Sequence, residues 1–410
     1  MRGHSVLWLT SSLSVWKRTT DQASQWSSGA VPLPDRSGAM GRVGHLAVEF
    51  KPMASRGLTY ADAGVDIEAG DAAVERFAKA VRATHGPRVI GAYGAFAGMF
   101  RLDFNERLFR RNYRDPVLVA CTDGVGTKVR LAIDLGVHHT VGVDCVAMNV
   151  NDMICQGAEP LFFLDYLGLH RQDPERTAEL VAGVAEGCRL ANCALLGGEC
   201  AEMPDIYRKG DYDIAGFAVG VAELSRVVDA ERVRPGDVIL GLTSSGVHSN
   251  GYTLVRKIVE QAKIDLQAEH PRSDGEGRTF GEQLLEPTRI YVRSIISMLR
   301  AYKVKRPVSG MAHITGGGLP GNLVRALPKG CRAVVSKSAC EVPALFRVLQ
   351  RAGRISENEM WKVFNMGIGY CLIVRPTFAE GVTSKLEAAG ETVRKIGVVR
   401  KGRIGVELTA

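Results

Sequence analysis

The stretch VLVACTDGVGTK, residues 117–128, joins a short apolar run to a glycine-rich turn and decides the local fold. Residues 117–121 are apolar and rich in valine, as is typical of a buried strand. The hexapeptide DGVGTK then supplies an acid, two glycines, a hydroxyl and a cation, which suits a phosphate-binding turn at a helix start. A glycine turn without any ligand explains these six residues equally well. The spacing fits neither a P-loop nor a dinucleotide-binding G-x-G-x-x-G.

Similar apolar runs recur along the chain and divide it into two units. The patterns predict further strands at residues 140–143, 193–196, 238–242 and 370–374. Helices are predicted from the Asp173-Pro174-Glu175 start, over residues 146–156 with Gly157 as the stop, and after Asn250. Residues 265–278 are polar and predict a surface loop. We place the first domain at residues 57–221 and the second at 222–410.

Three carboxylates follow predicted strands in the first unit. Asp123 comes after residues 117–121, Asp144 after 140–143, and Glu199 after the glycines that end 193–198. Strand ends of one sheet lie close together, and clustered carboxylates are what holds Mg²⁺ with a nucleotide's phosphates. The alternative is that each acid merely caps a strand or helix. We favour the site, because three such acids occur in one domain.

Other candidate residues lie on helices and glycine-rich loops. On the helix at 146–156, Asp152 falls opposite the apolar stripe, and its spacing alone favours solvent. His248 and His313 each occupy a loop of Gly and hydroxyl residues before a helix, which suits an anion, although a lone histidine is more often a structural hydrogen-bonding group. A third glycine cluster, residues 91–98, predicts a hairpin, a lid or a site.

Composition excludes several classes of protein. With 46% hydrophobic and 23% charged residues the chain is neither disordered nor fibrous, and it has no apolar run long enough to span a membrane. Nine cysteines without a C-x-x-C pair indicate reduced thiols and no zinc site. The net charge of +8 invites a nucleic-acid partner, yet aromatic residues are only 7% and the body has no Lys or Arg run longer than two. We therefore expect neither a nucleic acid nor a membrane as partner.

The first 56 residues differ from the rest of the chain. They hold seven Lys or Arg against three Asp or Glu, which is half of the net charge, together with nine Ser. This composition is that of an organelle transit peptide, and the competing interpretation is an upstream start with Met53 as the true first residue. We expect residues 1–56 to be an unstructured extension. The protein is expected in the cytoplasm, or in an organelle if the extension is a targeting segment.

Eight ordered motifs give the chain a resemblance to a known family between about residues 58 and 399. They are TYADAGVDI (59–67), TDGVGTK (122–128), VNDMICQGAEPLFFLDY (150–166), GGECAEMP (197–204), SSGVHSNGY (244–252), EPTRIYV (286–292), HITGGGLPGN (313–322) and FNMGIGY (364–370). The chain resembles the phosphoribosylformylglycinamidine cyclo-ligase family, also called aminoimidazole ribonucleotide synthetase. One departure is Cys200, where the family more often has threonine.

The resemblance implies an ATP-dependent ligase of purine biosynthesis that closes the imidazole ring of formylglycinamidine ribonucleotide. The products are aminoimidazole ribonucleotide, ADP and phosphate. In the family's scheme the formyl oxygen takes the γ-phosphoryl group, and the amidine nitrogen then attacks that carbon and expels phosphate. The implied fold is two α+β domains with mixed sheets flanked by helices, in which the N-terminal sheets pair across a homodimer.

The resemblance also implies roles for individual residues. Asp123 and Asp152 would hold Mg²⁺, and His248 and Asn250 would face the substrate or the phosphoryl group. Lys128 would stabilise the transferred group. Further members of the ATP site would be Gly124, Gly126, Thr127, Asp144, Asn151 and Glu199, and His313 is a weaker candidate.

The alternative function is another small-molecule phosphoryl transfer in the same superfamily. A thiamine-monophosphate kinase-like enzyme would share the ATP site. It would leave SSGVHSNGY and EPTRIYV without an explanation.

Overall fold

The computed structural model describes residues 67–90, 98–102, 112–271 and 277–410. The predicted extension, residues 1–56, lies outside the described residues, as do residues 91–97 of the third glycine cluster. Among the described residues, no helix is long and apolar enough to cross a lipid bilayer. The nine cysteines are all free.

The N-terminal half of the described chain contains a four-stranded sheet backed by helices. Its elements, in chain order, are α1 (Ile67–Arg82), β1 (Val89–Ile90), β2 (Met99–Phe100), β3 (Pro116–Gly124), α2 (Lys128–Leu135), α3 (His139–Met153), β4 (Glu159–Leu169), α4 (Pro174–Ala191), β5 (Ala194–Glu202) and β6 (Tyr212–Glu223). The sheet order is β3-β6-β4-β5, in which only β4 and β5 run parallel.

The C-terminal half contains a six-stranded sheet with the order β10-β12-β7-β13-β11-β14. Its elements are β7 (Val238–Thr243), α5 (Tyr252–Ala262), β8 (Glu269–Pro271), β9 (Gly277–Thr279), α6 (Phe280–Leu284), α7 (Val292–Ala301), β10 (Val308–His313), α8 (Gly318–Leu323), β11 (Cys331–Ser336), α9 (Ala344–Gly353), α10 (Glu357–Val363), β12 (Ile368–Val374), α11 (Ala379–Ala388), β13 (Val393–Lys401) and β14 (Gly405–Thr409). The α+β class with mixed sheets flanked by helices is confirmed.

Several elements follow the sequence-based predictions. The strands expected near residues 117, 193, 238 and 370 are β3, β5, β7 and β12, and the helix after Asn250 is α5. The expected burial of the first strand is wrong, because β3 is an edge strand whose residues are all exposed or half-buried. Helix α4 begins as predicted, because the Asp173 side chain accepts hydrogen bonds from the amides of Glu175 and Arg176. The helix over 146–156 is the second half of α3 and a 3-10 turn, which Gly157 ends in a left-handed conformation.

The strand predicted at residues 140–143 is wrong, because these residues form the first turn of α3. The short run Thr-Val-Gly-Val fits a buried helix as well as a strand, and α3 is buried over most of its length. Its crossing with α4 is close at Gly142, where an added Cβ would lie 2.3 Å from the carbonyl oxygen of Leu180. The apolar run therefore reflects helix packing on all sides.

The loop predicted at residues 265–278 is also partly wrong. Strands β8 and β9 pair there in antiparallel register, with His270 opposite Arg278, and residues 272–276 between them lie outside the described part. A short polar strand pair leaves no hydrophobic alternation, so the sequence carries no periodic signal for it.

Candidate active site

The DGVGTK turn ends β3 and begins α2, as the sequence predicts. The amide of Gly124 donates a hydrogen bond of 2.8 Å to the carboxylate of Asp123, and Gly126 adopts a left-handed φ of +75°. Asp123, Gly126 and Thr127 are exposed. The Thr127 hydroxyl lies 3.0 Å from that of Thr253 on α5, so the turn faces the C-terminal half of the chain.

Lys128 is enclosed rather than presented to an open surface. Its ammonium lies 2.6 Å from the Asp144 carboxylate and donates to the carbonyl oxygen of Glu286 at 2.7 Å, and the side chain is fully buried. The ring of Tyr252 lies 5.5 Å from the same nitrogen. Burial lowers the pKa of Lys128, and the Asp144 carboxylate opposes this shift. In this geometry all donors of the ammonium face protein groups.

Asp144 does not follow a strand, contrary to the prediction, since it lies in the middle of α3. One carboxylate oxygen accepts hydrogen bonds from the amide and hydroxyl of Thr288, at 2.7 and 2.6 Å. The other oxygen faces Lys128. Asp144 is completely buried and engaged on both oxygens, so it fixes the segment around Thr288 rather than lying open to a metal.

Asn151 lies two helical turns after Asp144 and also contacts the segment around Thr288. Its amide nitrogen donates to the carbonyl oxygen of Arg289 at 2.8 Å, and its oxygen accepts from the amide of Tyr291 at 3.0 Å. Residues seven apart lie on one face of a helix. One face of α3 therefore fixes residues 286–291 of the C-terminal half.

Asp152 points toward the C-terminal half as well, rather than only to solvent. Its carboxylate lies 2.8 Å from Nδ1 of His313, which is itself buried at the end of β10 and stacked near Tyr370. The side chain of Asp152 remains 40% exposed. The His313 contact thus fixes one oxygen of Asp152 and leaves the carboxylate accessible.

Asp123 and Asp152 influence each other electrostatically. Desolvation by the surrounding protein raises the pKa of Asp123, and the Asp152 carboxylate raises it further, while the Gly124 amide lowers it. A cation would stabilise the ionised form of Asp123 beside the Asp152 carboxylate. Among the described residues, no three His, Cys, Asp or Glu side chains form a metal site by themselves. A cation here would need phosphate or water oxygens in addition.

Glu199 is not brought to this place within one chain. It lies inside β5, at the opposite edge of the sheet from β3, and is exposed. Three strand spacings separate the two edges, which is roughly 14 Å. The expectation that Asp123, Asp144 and Glu199 share adjoining strand ends is therefore wrong. The sequence identifies the acids but not the strand order.

His248 lies in a loop of the C-terminal half and is buried with a left-handed φ of +66°. The amide of Ser245 donates to its Nε2 at 3.3 Å, which places the ring proton on Nδ1. Nδ1 has no hydrogen-bond partner among the described residues. Burial lowers the pKa of His248 well below its usual value, and His313 and Lys128 add to the effect. His248 is therefore a neutral donor at pH 7.

Two asparagines hold the glycine-rich loops, and the sequence analysis did not single them out. The Asn365 amide donates to the carbonyl oxygens of Gly246 and Val247, while Ser244 donates to its oxygen. The Asn322 amide nitrogen likewise donates to three carbonyls of the loop at 315–318. Asn365 lies in the motif FNMGIGY and Asn322 in HITGGGLPGN. Membership in these motifs is the sequence feature that indicates a role for both residues.

Asn250 lies where α3 meets the two loops that carry His248 and His313. Its amide nitrogen approaches the sulfur of Met148 on α3 at 3.8 Å, and a Cβ added at Gly316 would lie 3.2 Å from its oxygen. The loops that carry His248 and His313 thus meet against α3. The site therefore contains two carboxylates, Asp123 and Asp152, a neutral buried donor, His248, and the glycine turn. These groups can position a phosphorylated ligand.

The chain matches two family models and many curated proteins. The AIR synthase related protein N-terminal domain matches residues 111–222, and the AIR synthase related protein C-terminal domain matches residues 234–408. A phosphoribosylformylglycinamidine cyclo-ligase from Paraburkholderia phymatum is 49% identical over 354 residues, which cover 86% of this chain and 95% of the relative. One from Desulfitobacterium hafniense is 50% identical over 351 residues, covering 85% and 99%.

Solved structures with low sequence identity share the fold. Thiamine-monophosphate kinase from Stenotrophomonas maltophilia has a TM-score of 0.58 at 17% identity, covering 82% of this chain and 95% of that one. Hydrogenase maturation protein HypE in complex with ATP has a TM-score of 0.55 at 17% identity, covering 80% and 89%.

Proposed function

The chain belongs to the phosphoribosylformylglycinamidine cyclo-ligase family, and we propose that its reaction takes place between the 123–128 turn, α3 and the loops carrying His248 and His313. As a member of this family it is an ATP-dependent ligase of purine biosynthesis, which closes the ring of formylglycinamidine ribonucleotide to aminoimidazole ribonucleotide. The observation that carries this conclusion is 49% identity across 95% of a relative of that name.

The chemistry requires positioning and charge neutralisation more than a protein nucleophile. The formyl oxygen attacks the γ-phosphorus of ATP, and ADP leaves. The amidine nitrogen then attacks the activated carbon, and the C–O bond breaks to release phosphate that carries the former formyl oxygen. Phosphoryl transfers of this kind depend on aligned reactants and fixed charges. Cys200, half-buried with its pKa raised by burial to about 12, is no thiolate nucleophile at pH 7.

We propose that Asp123 and Asp152 hold Mg²⁺ together with phosphate oxygens. The raised pKa of Asp123, to which the Asp152 carboxylate contributes, and the exposure of both carboxylates support this assignment. Mg²⁺ is commonly bound by one or two carboxylates with water and phosphate oxygens completing its shell. When bound, it would neutralise the charge that develops on the phosphates. His313 would keep Asp152 oriented through the 2.8 Å contact.

His248 and Asn250 are proposed to face the substrate or the phosphoryl group. The support is the Nδ1–H of His248, a buried donor that has no partner among the described residues. An unpaired buried donor costs stability, so its retention suggests that a ligand oxygen satisfies it. Gly124, Gly126 and Thr127 would approach the phosphates as parts of the exposed turn. Glu199 lies on β5 at the opposite edge of the sheet, so it would have to contact the ligand from that edge.

For Lys128 the geometry supports a positioning role. Its ammonium fixes α2 to α3 and to Glu286, with Asp144 as counterion. Asp144 and Asn151 would act on the site in the same way, by holding residues 286–291. The phosphate contact that the resemblance implies for Lys128 stays a prediction, which a double-variant cycle with Asp144 can test.

We propose a homodimer that buries one face of the four-stranded sheet. That face is apolar and uncovered in the described part of the chain, with Leu118 62% exposed and Phe217 45% exposed. Tyr166, Ala120 and Val219 continue it, since strand register places them on the same side. Exposed apolar areas of this kind mark interfaces.

The domain boundary at residues 221–222 and the cytoplasmic location also remain proposals. The boundary is supported by the end of β6 at Glu223, before the second sheet begins at Val238. The location is supported by nine free cysteines. An organelle is the alternative if residues 1–56 are a transit peptide. The kinase-like function has no specific support, because low-identity structural likeness concerns the fold alone.

The function is tested by incubating the full chain with Mg-ATP, with and without formylglycinamidine ribonucleotide. ADP, phosphate and aminoimidazole ribonucleotide are then quantified. We expect one ADP and one phosphate for each ring formed, and negligible ADP without the substrate. ADP release without ring product, and faster release with thiamine monophosphate, would favour the alternative.

A further inference from the structure

A second cavity lies at the other end of the four-stranded sheet, away from the candidate active site. It has a volume of about 770 Å³ and opens between the end of β6, the start of β10 and the connection after α7. Its floor is apolar and includes Val221, Ile296 and Val308, all buried. This size is within the range of small-molecule sites in proteins.

The walls and rim of this basic cavity carry far more positive than negative charge. Two acids, Glu159 and Glu223, face eight cations: Arg88, Arg114, Arg226, Arg232, Arg300, Lys303, Lys305 and Arg306. Half of the chain's net charge of +8 lies in its first 56 residues. The cavity's excess of six cations is thus larger than the +4 that remains for the body. Positive charge is therefore concentrated at this place.

The hydrogen bonds of the cavity do not neutralise that charge. Arg226 donates to the carbonyl oxygens of Tyr302 and Lys303, and Arg232 donates to that of Arg306. Among the described residues, only Arg300 of the eight cations forms an ion pair, with Glu159. Backbone carbonyls orient a guanidinium but leave its charge unpaired.

Glu223, the other acid, is also occupied. It accepts hydrogen bonds from the amides of Arg114 and Asp115, which directly precede β3. Burial lowers the pKa of Arg232, and the charges of Arg306 and Arg375 lower it further, while Asp229 and Asp237 oppose the shift with smaller effects. Like charges held at close range favour the binding of an anion that relieves their repulsion.

We propose that the basic cavity binds the di- or triphosphate group of a small molecule. The phosphates would contact Arg232, Lys305 and Arg306, and any organic part would lie against Tyr302 and the apolar floor. Multiple cations in a concave, partly apolar site favour polyphosphate over a single carboxylate. Tripolyphosphate binding in the basic cavity does not depend on the proposed function, whereas a stoichiometry of two ATP per chain also requires the proposed ATP site.

This site is separate from the candidate ATP site. Strand register pairs Asp123 with Gly216 and Pro116 with Glu223, so seven residues of extended chain separate the two ends. At the rise of a β-strand this is roughly 23 Å. A ligand in the basic cavity would therefore be a second bound molecule per chain.

The test uses the full chain and a charge-removal variant of exposed rim residues, Lys303→Gln/Lys305→Gln/Arg306→Gln. The control removes three exposed cations elsewhere, Lys329→Gln/Arg347→Gln/Lys395→Gln. Tripolyphosphate and ATP are titrated into each protein by calorimetry at low and high salt. Arg232→Gln serves as a second, single-site variant.

We expect tripolyphosphate affinity to fall at least about 10-fold in the rim variant, to fall at high salt in the wild type, and to change less than about 2-fold in the control. For ATP, the stoichiometry should fall from two per chain to one. Tighter binding of ATP than of tripolyphosphate at this site would identify a nucleotide, and equal binding a free polyphosphate. Equal tripolyphosphate affinity in rim variant and control would overturn the proposal. So would binding of a single-stranded oligonucleotide at this rim without binding of tripolyphosphate.

Discussion

The ammonium of Lys128 and the carboxylate of Asp144 lie 2.6 Å apart, and both side chains are completely withdrawn from solvent. This pair joins the start of α2 to the middle of α3. Through Thr288 and Glu286 it also reaches the segment that precedes α7. The two halves of the chain thus meet at a buried charge pair a few residues from the exposed Asp123.

Removing one member of this pair should destabilise the fold strongly. Lys128→Met leaves a buried carboxylate without a counterion, at a cost of about 3–5 kcal/mol of unfolding free energy. Lys128→Met/Asp144→Asn removes both charges and keeps an oxygen for Thr288, so stability should largely return. Denaturant titration of the wild type, both single variants and the double variant measures this coupling.

The same variants decide the role of Lys128 in turnover. A positioning role predicts that the double variant regains turnover to within about 10-fold of the wild type. A stable, folded double variant that remains at least about 100-fold slower would instead place the ammonium on the transferred phosphoryl group. Fold is checked by circular dichroism before each rate is compared.

His248 should make the protein sensitive to acid. Its pKa in the folded state lies well below the usual 6.5, because burial disfavours the charged ring. The unfolded state therefore binds more protons below about pH 6.5, and stability should fall as the pH drops from there. His248→Asn accommodates the left-handed φ and lacks this titration. Its unfolding free energy should change less between pH 7 and 5 than that of the wild type, and equal changes would contradict the assignment.

His248 should also act as a neutral donor in turnover. Replacing it with alanine removes the Nδ1–H and should lower turnover by about 100- to 1,000-fold, on the scale of one lost donor to a developing charge. The asparagine variant retains an N–H and should be less impaired. Steady-state turnover rates of the alanine and asparagine variants are compared at pH 7 and 8. An identical loss of turnover in both variants would contradict hydrogen-bond donation by His248.

Asp165 should change the stability of the fold with pH in the opposite direction to His248. It lies almost fully buried on β4, and burial raises its pKa to about 7. The folded state then holds the proton more tightly than the unfolded state, so stability should decline as pH rises from about 4 to 7, by at most about 4 kcal/mol. Asp165→Asn should unfold at higher temperature than the wild type at pH 8 and equally at pH 4. A variant less stable than the wild type at pH 8 would contradict this account.

The proposed dimer face is open to a direct test. Phe217→Asp places a charge on the exposed side of β6 and should convert a dimer to monomers, with retained secondary structure. Val304→Asp is the matched control, because Val304 is 87% exposed and lies outside that sheet. Sedimentation equilibrium measures both masses. A wild-type monomer, or a Phe217→Asp dimer as tight as the control, would remove the proposal.

The sequence predicts the short, apolar and buried strand β7, the position of β3 but not its exposure at the sheet edge, and the helix whose start Asp173 caps. It misplaces residues 140–143, because a fully buried helix turn and a buried strand have the same apolar composition. It also groups Asp144 and Glu199 with Asp123. Their separation follows from strand order and helix packing, which are long-range properties that local patterns do not encode.

For the site, the motifs identify the acids and histidines, whereas contacts define what each does. Asp144 differs from Asp123 only through its burial against Lys128 and Thr288. Asn322 and Asn365 resemble ordinary polar residues until their amides are seen to hold two loops. The His313–Asp152 contact joins residues 161 positions apart. The local periodicity of the sequence cannot predict a contact between residues so far apart in the chain.

Ring closure through phosphorylation of the formyl oxygen by ATP transfers that oxygen to the released phosphate. The most direct measurement uses formylglycinamidine ribonucleotide labelled with ¹⁸O at the formyl group, the full chain and Mg-ATP, with mass analysis of the phosphate released. We expect one ¹⁸O in each phosphate, one phosphate per aminoimidazole ribonucleotide, and loss of both products in Asp123→Asn. Ring product accompanied by unlabelled phosphate, with the label released into water, would contradict it.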